Sequence, residues 1–153
     1  MAYFDNAATT YPKPDRVYSF MDAFYRKCGG NVGRGDYGIA KSAGALVADT
    51  RTHLQELLHC PAKQVVFTPT ATIALNIILQ GLCMMGMKNF YISPFEHNAV
   101  TRTLHHFENT GEINVTQLAV TSDFRYDLEK IRYQFDDCKP DVVVVSHASN
   151  VIG

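Results

Sequence analysis

The residues best suited to chemistry occur where predicted strands run into predicted helices. Each of three segments follows an apolar run and carries hydroxyl, imidazole or amide side chains. The segments are Pro69–Thr72, Glu96–Asn98 and His147–Asn150. Because ligands of layered α/β proteins bind beyond the carboxyl ends of the strands, we expect the ligand site among these segments.

The segment Thr70–Thr72 places two hydroxyls and a small residue at the start of a predicted helix. The free N–H groups and the positive dipole end of such a helix suit a phosphate. A capping role for Thr70 or Thr72 fits the same pattern, because threonine often caps helices. These residues alone leave both interpretations open.

His97 and Asn150 are the other candidates. The His97 imidazole lies beside Glu96 in the sequence, and could act as an acid or base near neutral pH or stack on a planar ring. Asn150 could donate a hydrogen bond to a ligand oxygen. On the local pattern alone a surface histidine at a capped helix start is favoured for His97, and a turn residue fits Asn150 equally well.

Other kinds of site are disfavoured by spacing. The six histidines and four cysteines include no His-x-x-x-His and no Cys-x-x-Cys pair, so we expect no metal site. There is no Gly-x-Ser-x-Gly turn to present a nucleophile. The dispersed cysteines indicate free thiols in a reducing compartment, and we expect a cytoplasmic protein.

The elements that must position these residues alternate between strand and helix. A first helix is predicted to begin near Asp15, which can act as its cap, and to end at Gly29. The predicted helices after it are 39–59, 71–82, 97–109 and 127–135. The predicted strands are 64–68, 89–93, 113–120 and 141–146. Apolar strands without alternation are covered on both faces. The pattern predicts an α/β fold of three layers, with a mostly parallel sheet, helices on both faces and right-handed crossovers.

Composition agrees with a globular protein. The chain has 153 residues, 46% hydrophobic and 19% charged, with a net charge of −1. This near-neutral balance favours neither a nucleic acid nor a membrane as partner. We expect an arm, helix and glycine-rich loop over 1–36 and part of a larger domain over 37–153. Because the sequence ends soon after its most apolar strand, we expect a truncated domain.

Five segments in order resemble the class V aminotransferases of the cysteine desulfurase type. They are Tyr3–Thr10 with Pro12–Pro14, Asn31–Gly35, Val66–Thr68 with Ala71-Thr72, Glu96–Val100 and Ser146–Gly153. Each motif alone is weak, but all five follow the family's order and the resemblance covers the whole chain. It implies the N-terminal half of the large domain of a type I pyridoxal 5′-phosphate (PLP) enzyme over 37–153.

The resemblance also implies roles for the candidate residues. Thr72, with the backbone N–H groups around Thr70 and Ala71, would hold the PLP phosphate. His97 would stack on the pyridine ring and move protons, and Asn150 would hydrogen-bond the phenolic oxygen. On the substrate side of the pocket the resemblance places Ala7 and Ala8.

The sequence departs from the family pattern in two ways. Ile73 stands where the family usually has glutamate. Four functional residues of the family correspond to positions beyond Gly153. They are the aspartate that pairs with the pyridine nitrogen, the lysine that forms the Schiff base, the cysteine that carries the persulfide and the arginine that binds the substrate. None of the seven lysines has the matching context; they are Lys13, Lys27, Lys41, Lys63, Lys88, Lys130 and Lys139.

The resemblance therefore implies part of a homodimeric enzyme acting on a small amino acid, with cysteine converted to alanine and sulfur. The chain alone is expected to bind PLP weakly or not at all and to be inactive. One alternative is a folding or dimerisation unit without catalysis. Another is a module for a different phosphate ligand, which lacks support because no Walker lysine is present.

Overall fold

The computed structural model describes residues 2–6, 8–32 and 35–149, and the chain forms two compact units, 1–67 and 68–153. This division falls later than the predicted boundary between residues 36 and 37, because the first helix packs against the second within one unit. The assignment of 37–153 to one half of a cofactor-binding domain stays a prediction. No helix in the described ranges is long and apolar enough to cross a membrane.

The first unit contains two helices, α1 (Asp15–Cys28) and α2 (Gly38–Leu57). Asp15 was expected to cap α1, but it is the first helical residue and Pro14 occupies the cap position. Gly30 lies in the turn that follows, where an added Cβ would come within 2.6 Å of Ile39 Cγ2. The close approach of the chain at this turn therefore requires a residue without a side chain.

The predicted buried strand 64–68 is wrong. This segment is not paired as a strand in the described chain, and the side chains of Val66 and Phe67 are 77% and 49% exposed. It straddles the division between the two units. An apolar run favours burial, but a strand also needs a neighbouring strand to accept its hydrogen bonds.

The second unit confirms the predicted fold class. Its elements are α3 (Ala71–Met84), β1 (Asn89–Ile92), α4 (Asn98–Asn109), β2 (Asn114–Gln117), α5 (Leu128–Asp137) and β3 (Val142–Val144). The described strands form one parallel sheet in the order β2-β1-β3. Both outer strands are shorter than the predicted runs 113–120 and 141–146.

Helices cover both faces of this sheet. Phe90 and Ile92 of β1 pack with α3 and α4, whereas Tyr91 packs with Ile131 of α5. The Tyr91 hydroxyl donates to the carbonyl oxygens of Gln134 and Cys138 at 2.8 and 2.7 Å, which joins β1 to the end of α5. The chain runs from β1 to β2 through α4 on one face of the sheet. It then runs back past β1 to β3 through α5 on the other face. Two crossovers of a single hand require this combination.

Candidate functional site

A cavity of the second unit lies between α3 and α4 and has a volume of about 540 Å³. Such a volume falls within the range of small-molecule sites. Thr72 and His97, the two side chains on which the predicted ligand site depends, both line it. The lining residues are Thr72, Asn76, Gln80, His97, Asn98, Ala99, Arg102, Thr103, His106 and Phe107.

The start of α3 keeps two backbone donors available. The Thr70 hydroxyl oxygen accepts the N–H of Ile73 at 3.2 Å, so this threonine is the cap that the sequence allowed for. The N–H groups of Ala71 and Thr72 have no acceptor in the described part of the chain. Two donors at the positive end of a helix of 14 residues therefore remain for an anion.

His97 is the cap of α4, and this contact orients its ring. Its Nδ1 accepts the N–H of Ala99 at 3.0 Å. In the neutral ring Nδ1 is therefore unprotonated and Nε2 carries the hydrogen, as the hydrogen bond assigns it. The side chain is exposed at the cavity, so Nε2 can exchange a proton with a bound molecule.

A polar contact fixes α3 and α4 relative to each other beneath the cavity. The buried Thr103 hydroxyl lies 3.0 Å from Asn76 Oδ1 and 2.9 Å from the Ala99 carbonyl oxygen. Asn76 Nδ2 in turn donates to the Thr72 carbonyl oxygen at 2.8 Å. Since this chain of contacts runs from the first turn of α3 to the first turn of α4, it sets the separation of Thr72 and His97.

The charge of the cavity lining is one-sided. Among the described residues that line it, Arg102 carries a fixed positive charge and none is a carboxylate. Arg102 has no ion-pair partner in the described ranges. A cleft with cationic and neutral walls attracts anions.

Sequence reasoning missed several of these lining residues, although a signal for them existed. Thr72, Asn76 and Gln80 recur every four residues on α3, as do Asn98, Arg102 and His106 on α4. Residues four apart lie on one face of a helix. From Thr72 and His97, this spacing could therefore have predicted the other lining residues of each helix. It could not have predicted that the two helix faces meet.

Glu96 has a different role from the one its place beside His97 suggested. Its carboxylate accepts the backbone N–H of Ser146 at 2.5 Å and the Ser146 hydroxyl at 2.8 Å. Both residues are half-buried. Glu96 therefore joins the loop after β1 to the loop after β3, and the imidazole of His97 is held by Ala99 instead.

The remaining predicted residues are outside the cavity or outside the described residues. Asn150 and Ala7 lie outside the described residues. Ala8 belongs to the first unit, where its N–H donates to the Asp5 carbonyl oxygen at 3.1 Å. Within the described ranges no three or more histidine, cysteine or acidic side chains group as metal ligands. The four cysteines are free thiols, in agreement with the sequence.

The amino-acid sequence matches a known protein family over almost its whole length. The model of a family described as aminotransferase class-V matches residues 2–153. A putative cysteine desulfurase, PbSufS, from Plasmodium berghei is 28% identical over 99% of this chain and 29% of its own length. The cysteine desulfurase IscS of Histophilus somni is 33% identical over 99% of this chain and 38% of its own length.

Two solved structures have a fold similar to that of this chain. The apo cysteine desulfurase of Thermococcus onnurineus has the same fold, with a TM-score of 0.86 over 97% of this chain and 23% identity. A NifS-like protein gives a TM-score of 0.84 at 29% identity, again over 97% of this chain. The chain spans about a third of the length of the curated relatives it matches, from 29% to 38%.

Proposed function

Because the chain belongs to the class-V aminotransferase family, we propose that it forms part of a PLP-dependent enzyme of the cysteine desulfurase type. The substrate is a small amino acid, and the relatives' names favour cysteine, converted to alanine with transfer of its sulfur. The observation that carries this proposal is the cavity that Thr72 and His97 share.

The start of α3, where Thr72 lines this cavity and Ala71 precedes it, fits the phosphate of PLP. The Ala71 and Thr72 N–H groups and the Thr72 hydroxyl would hold the phosphate, because they are donors at the positive end of α3. Arg102 adds a positive charge to the same cavity. Ile73, where the family usually has glutamate, is 41% exposed and adds no negative charge to this helix start.

The other proposed roles concern the ring and the substrate. His97 would stack on the pyridine ring, and its Nε2 would move a proton to or from the substrate. Asn150 would donate to the phenolic oxygen, and Ala7 and Ala8 would border the substrate. When bound, PLP supplies an electron sink for negative charge that develops on the amino acid.

We expect no turnover by this chain alone. PLP enzymes hold the cofactor through an activated lysine. The described lining of the cavity contains no lysine. Lys88, which precedes β1, instead donates from Nζ to the Glu112 carbonyl oxygen at 2.9 Å. The residues present would give a phosphate site and a ring contact without a covalent attachment.

Equilibrium dialysis against PLP and against ATP tests the proposal. We expect PLP to bind more tightly than ATP, and Thr72→Val to weaken PLP binding about tenfold through the loss of a hydrogen bond to a charged group. Thr52→Val on the exposed face of α2 is the matched control and should leave binding unchanged. Borohydride reduction followed by mass spectrometry should then find no pyridoxyl group on any lysine.

Two outcomes would contradict parts of this proposal. Tighter binding of ATP than of PLP would favour a module for another phosphate ligand. A stoichiometric pyridoxyl adduct on one lysine would show that the chain carries its own covalent attachment site.

A homodimer is the proposed assembly, and the first unit supports it. A cavity of about 280 Å³ between α1 and α2 is lined by apolar side chains, among them Phe20, Met21 and Tyr25. These three are 56%, 49% and 70% exposed. Clustered exposed apolar groups of this kind mark interaction surfaces. A role in dimerisation without catalysis is the second candidate function, and a cytoplasmic location stays a prediction.

A further inference from the structure

A half-buried asparagine connects the two helices that border the cavity. Asn76 on α3 donates from Nδ2 to the Thr72 carbonyl oxygen at 2.8 Å, and its Oδ1 accepts the Thr103 hydroxyl of α4 at 3.0 Å. Since a carbonyl oxygen can only accept hydrogen bonds, the contact to Thr72 fixes which end of the amide faces α3. The amide oxygen of Asn76 is therefore directed at α4.

Thr103 completes the connection on the α4 side. It is buried, with 8% of its surface exposed, and its hydroxyl also lies 2.9 Å from the Ala99 carbonyl oxygen. The contact to Ala99 by itself satisfies this hydroxyl, in the way that threonine commonly bonds one turn back in a helix. The contact to Asn76 is additional and crosses between two elements. In a buried setting such a contact favours one relative position of α3 and α4.

The connected contacts end at the two groups that are proposed to bind PLP. Thr72 belongs to the start of α3, where the phosphate would bind. Ala99 donates its N–H to His97 Nδ1 at 3.0 Å at the start of α4. A ligand whose two ends bind at two helix starts gains affinity from both only when the separation of these starts matches the ligand.

From this geometry we infer that Asn76 is a positioning residue, an inference that rests on the proposed PLP site. It sets the distance between the phosphate end at Thr72 and the ring end at His97. Without Asn76 each end keeps its own binding groups, because the Thr70 cap of α3 and the His97 cap of α4 are separate contacts. The loss therefore falls on a ligand that must reach both ends at once.

Affinities for three related ligands test the inference: inorganic phosphate, pyridoxine and pyridoxine 5′-phosphate. Pyridoxine carries the ring without the phosphate, its ester carries both, and neither has an aldehyde that reacts with lysine. In Asn76→Ala we expect the affinity for the ester to fall about fivefold, because the two ends no longer match one molecule. The affinities for phosphate alone and for pyridoxine alone should be unchanged. NMR titration measures all three.

Thr103→Val removes the same contact from the α4 side with little change of shape, and should give the same pattern. Ser42→Ala is the matched control, because the Ser42 hydroxyl makes a contact of the same kind on α2, to the Gly38 carbonyl oxygen at 3.0 Å. It should leave all three affinities unchanged. Unchanged affinity for the ester in Asn76→Ala would overturn the inference. An equal loss for phosphate alone would also overturn it, since Asn76 would then support only the start of α3.

The remaining outcomes separate this inference from the proposed function. If Asn76→Ala does not fold, Thr103→Val decides the comparison of ligands. If the unaltered chain binds neither PLP nor pyridoxine 5′-phosphate, the proposed function fails, and urea unfolding decides the link between the helices. Residues in contact have non-additive effects on stability, so we expect non-additive effects of Asn76→Ala and Thr103→Val. Purely additive effects would overturn the inference.

Discussion

At the scale of single residues, backbone hydrogen bonds decide what the candidate side chains can do. The Thr70 hydroxyl is used as a helix cap, which leaves the N–H groups of Ala71 and Thr72 for a ligand. The Nδ1 atom of His97 is used in the same way, which leaves Nε2 as the ring nitrogen available to a ligand. Each cap orients one helix start toward the cavity, so the local folding role supports the proposed functional one.

Arg102 provides the prediction at this scale. Arg102→Gln should weaken the binding of PLP and of inorganic phosphate about two- to fivefold, as expected for one exposed charge near an anion. The effect should fade as salt rises, because exposed charges are screened. Isothermal titration at two salt concentrations measures it.

Arg132→Gln on α5 is the matched control, because this exposed arginine does not line the cavity. An equal loss of affinity in both variants would mean that Arg102 acts only through net charge.

At the scale of elements, Asp141 stabilises the edge of the sheet opposite the candidate site. Its carboxylate accepts the N–H groups of Lys88 and Asn89 at 2.8 and 2.9 Å, where β1 begins. These hydrogen bonds hold the pKa of Asp141 below its ordinary value, first through Asn89 and then through Lys88. The start of β1 is thereby linked to the start of β3.

The lowered pKa of Asp141 predicts a stability difference that depends on pH. The carboxylate favours the folded state above its ordinary pKa near 4, and this contribution is lost as pH falls through the lower folded pKa. Asp141→Asn should therefore lower the urea midpoint of unfolding at pH 7. The difference from the unaltered chain should shrink progressively as pH falls below this ordinary pKa.

Asp136→Asn on the exposed side of α5 is the matched control for Asp141→Asn. It should be neutral or slightly stabilising at pH 7, since a negative charge near a helix C-terminus is unfavourable. A difference between Asp141→Asn and the unaltered chain that persists unchanged at low pH would contradict the assigned role of the carboxylate.

At the scale of the whole molecule, the prediction concerns self-association through the first unit. Tyr25 is 70% exposed at the apolar cavity between α1 and α2. Tyr25→Glu should raise the dissociation constant of a dimer at least tenfold, because a buried charge without a partner opposes association. Sedimentation equilibrium measures this change.

Tyr133→Glu on α5 is the control, since this tyrosine is 72% exposed and lies in the other unit. A monomer at all concentrations in the unaltered chain, or an equal effect of both variants, would contradict a dimer surface on the first unit.

The sequence predicted the order of helices and strands in the second unit closely. Helix 71–82 and strand 89–93 match α3 and β1 within two residues, because helical periodicity and unbroken apolar runs carry enough local information. It failed at 64–68, whose residues Val66 and Phe67 are apolar but exposed. Strand pairing depends on a neighbour that the segment itself does not specify.

For the site, the sequence by itself predicted which residues could bind an anion and which helix starts would present them. Thr72 and His97 follow from local patterns and from the family resemblance. Only the tertiary structure decided that α3 and α4 meet through Asn76 and Thr103, that Arg102 faces the same cavity, and that Glu96 bonds to Ser146 instead of His97. These contacts join residues as far as 50 positions apart. A local pattern fixes the direction of a side chain on its own helix, whereas its partner is set by how separate elements pack.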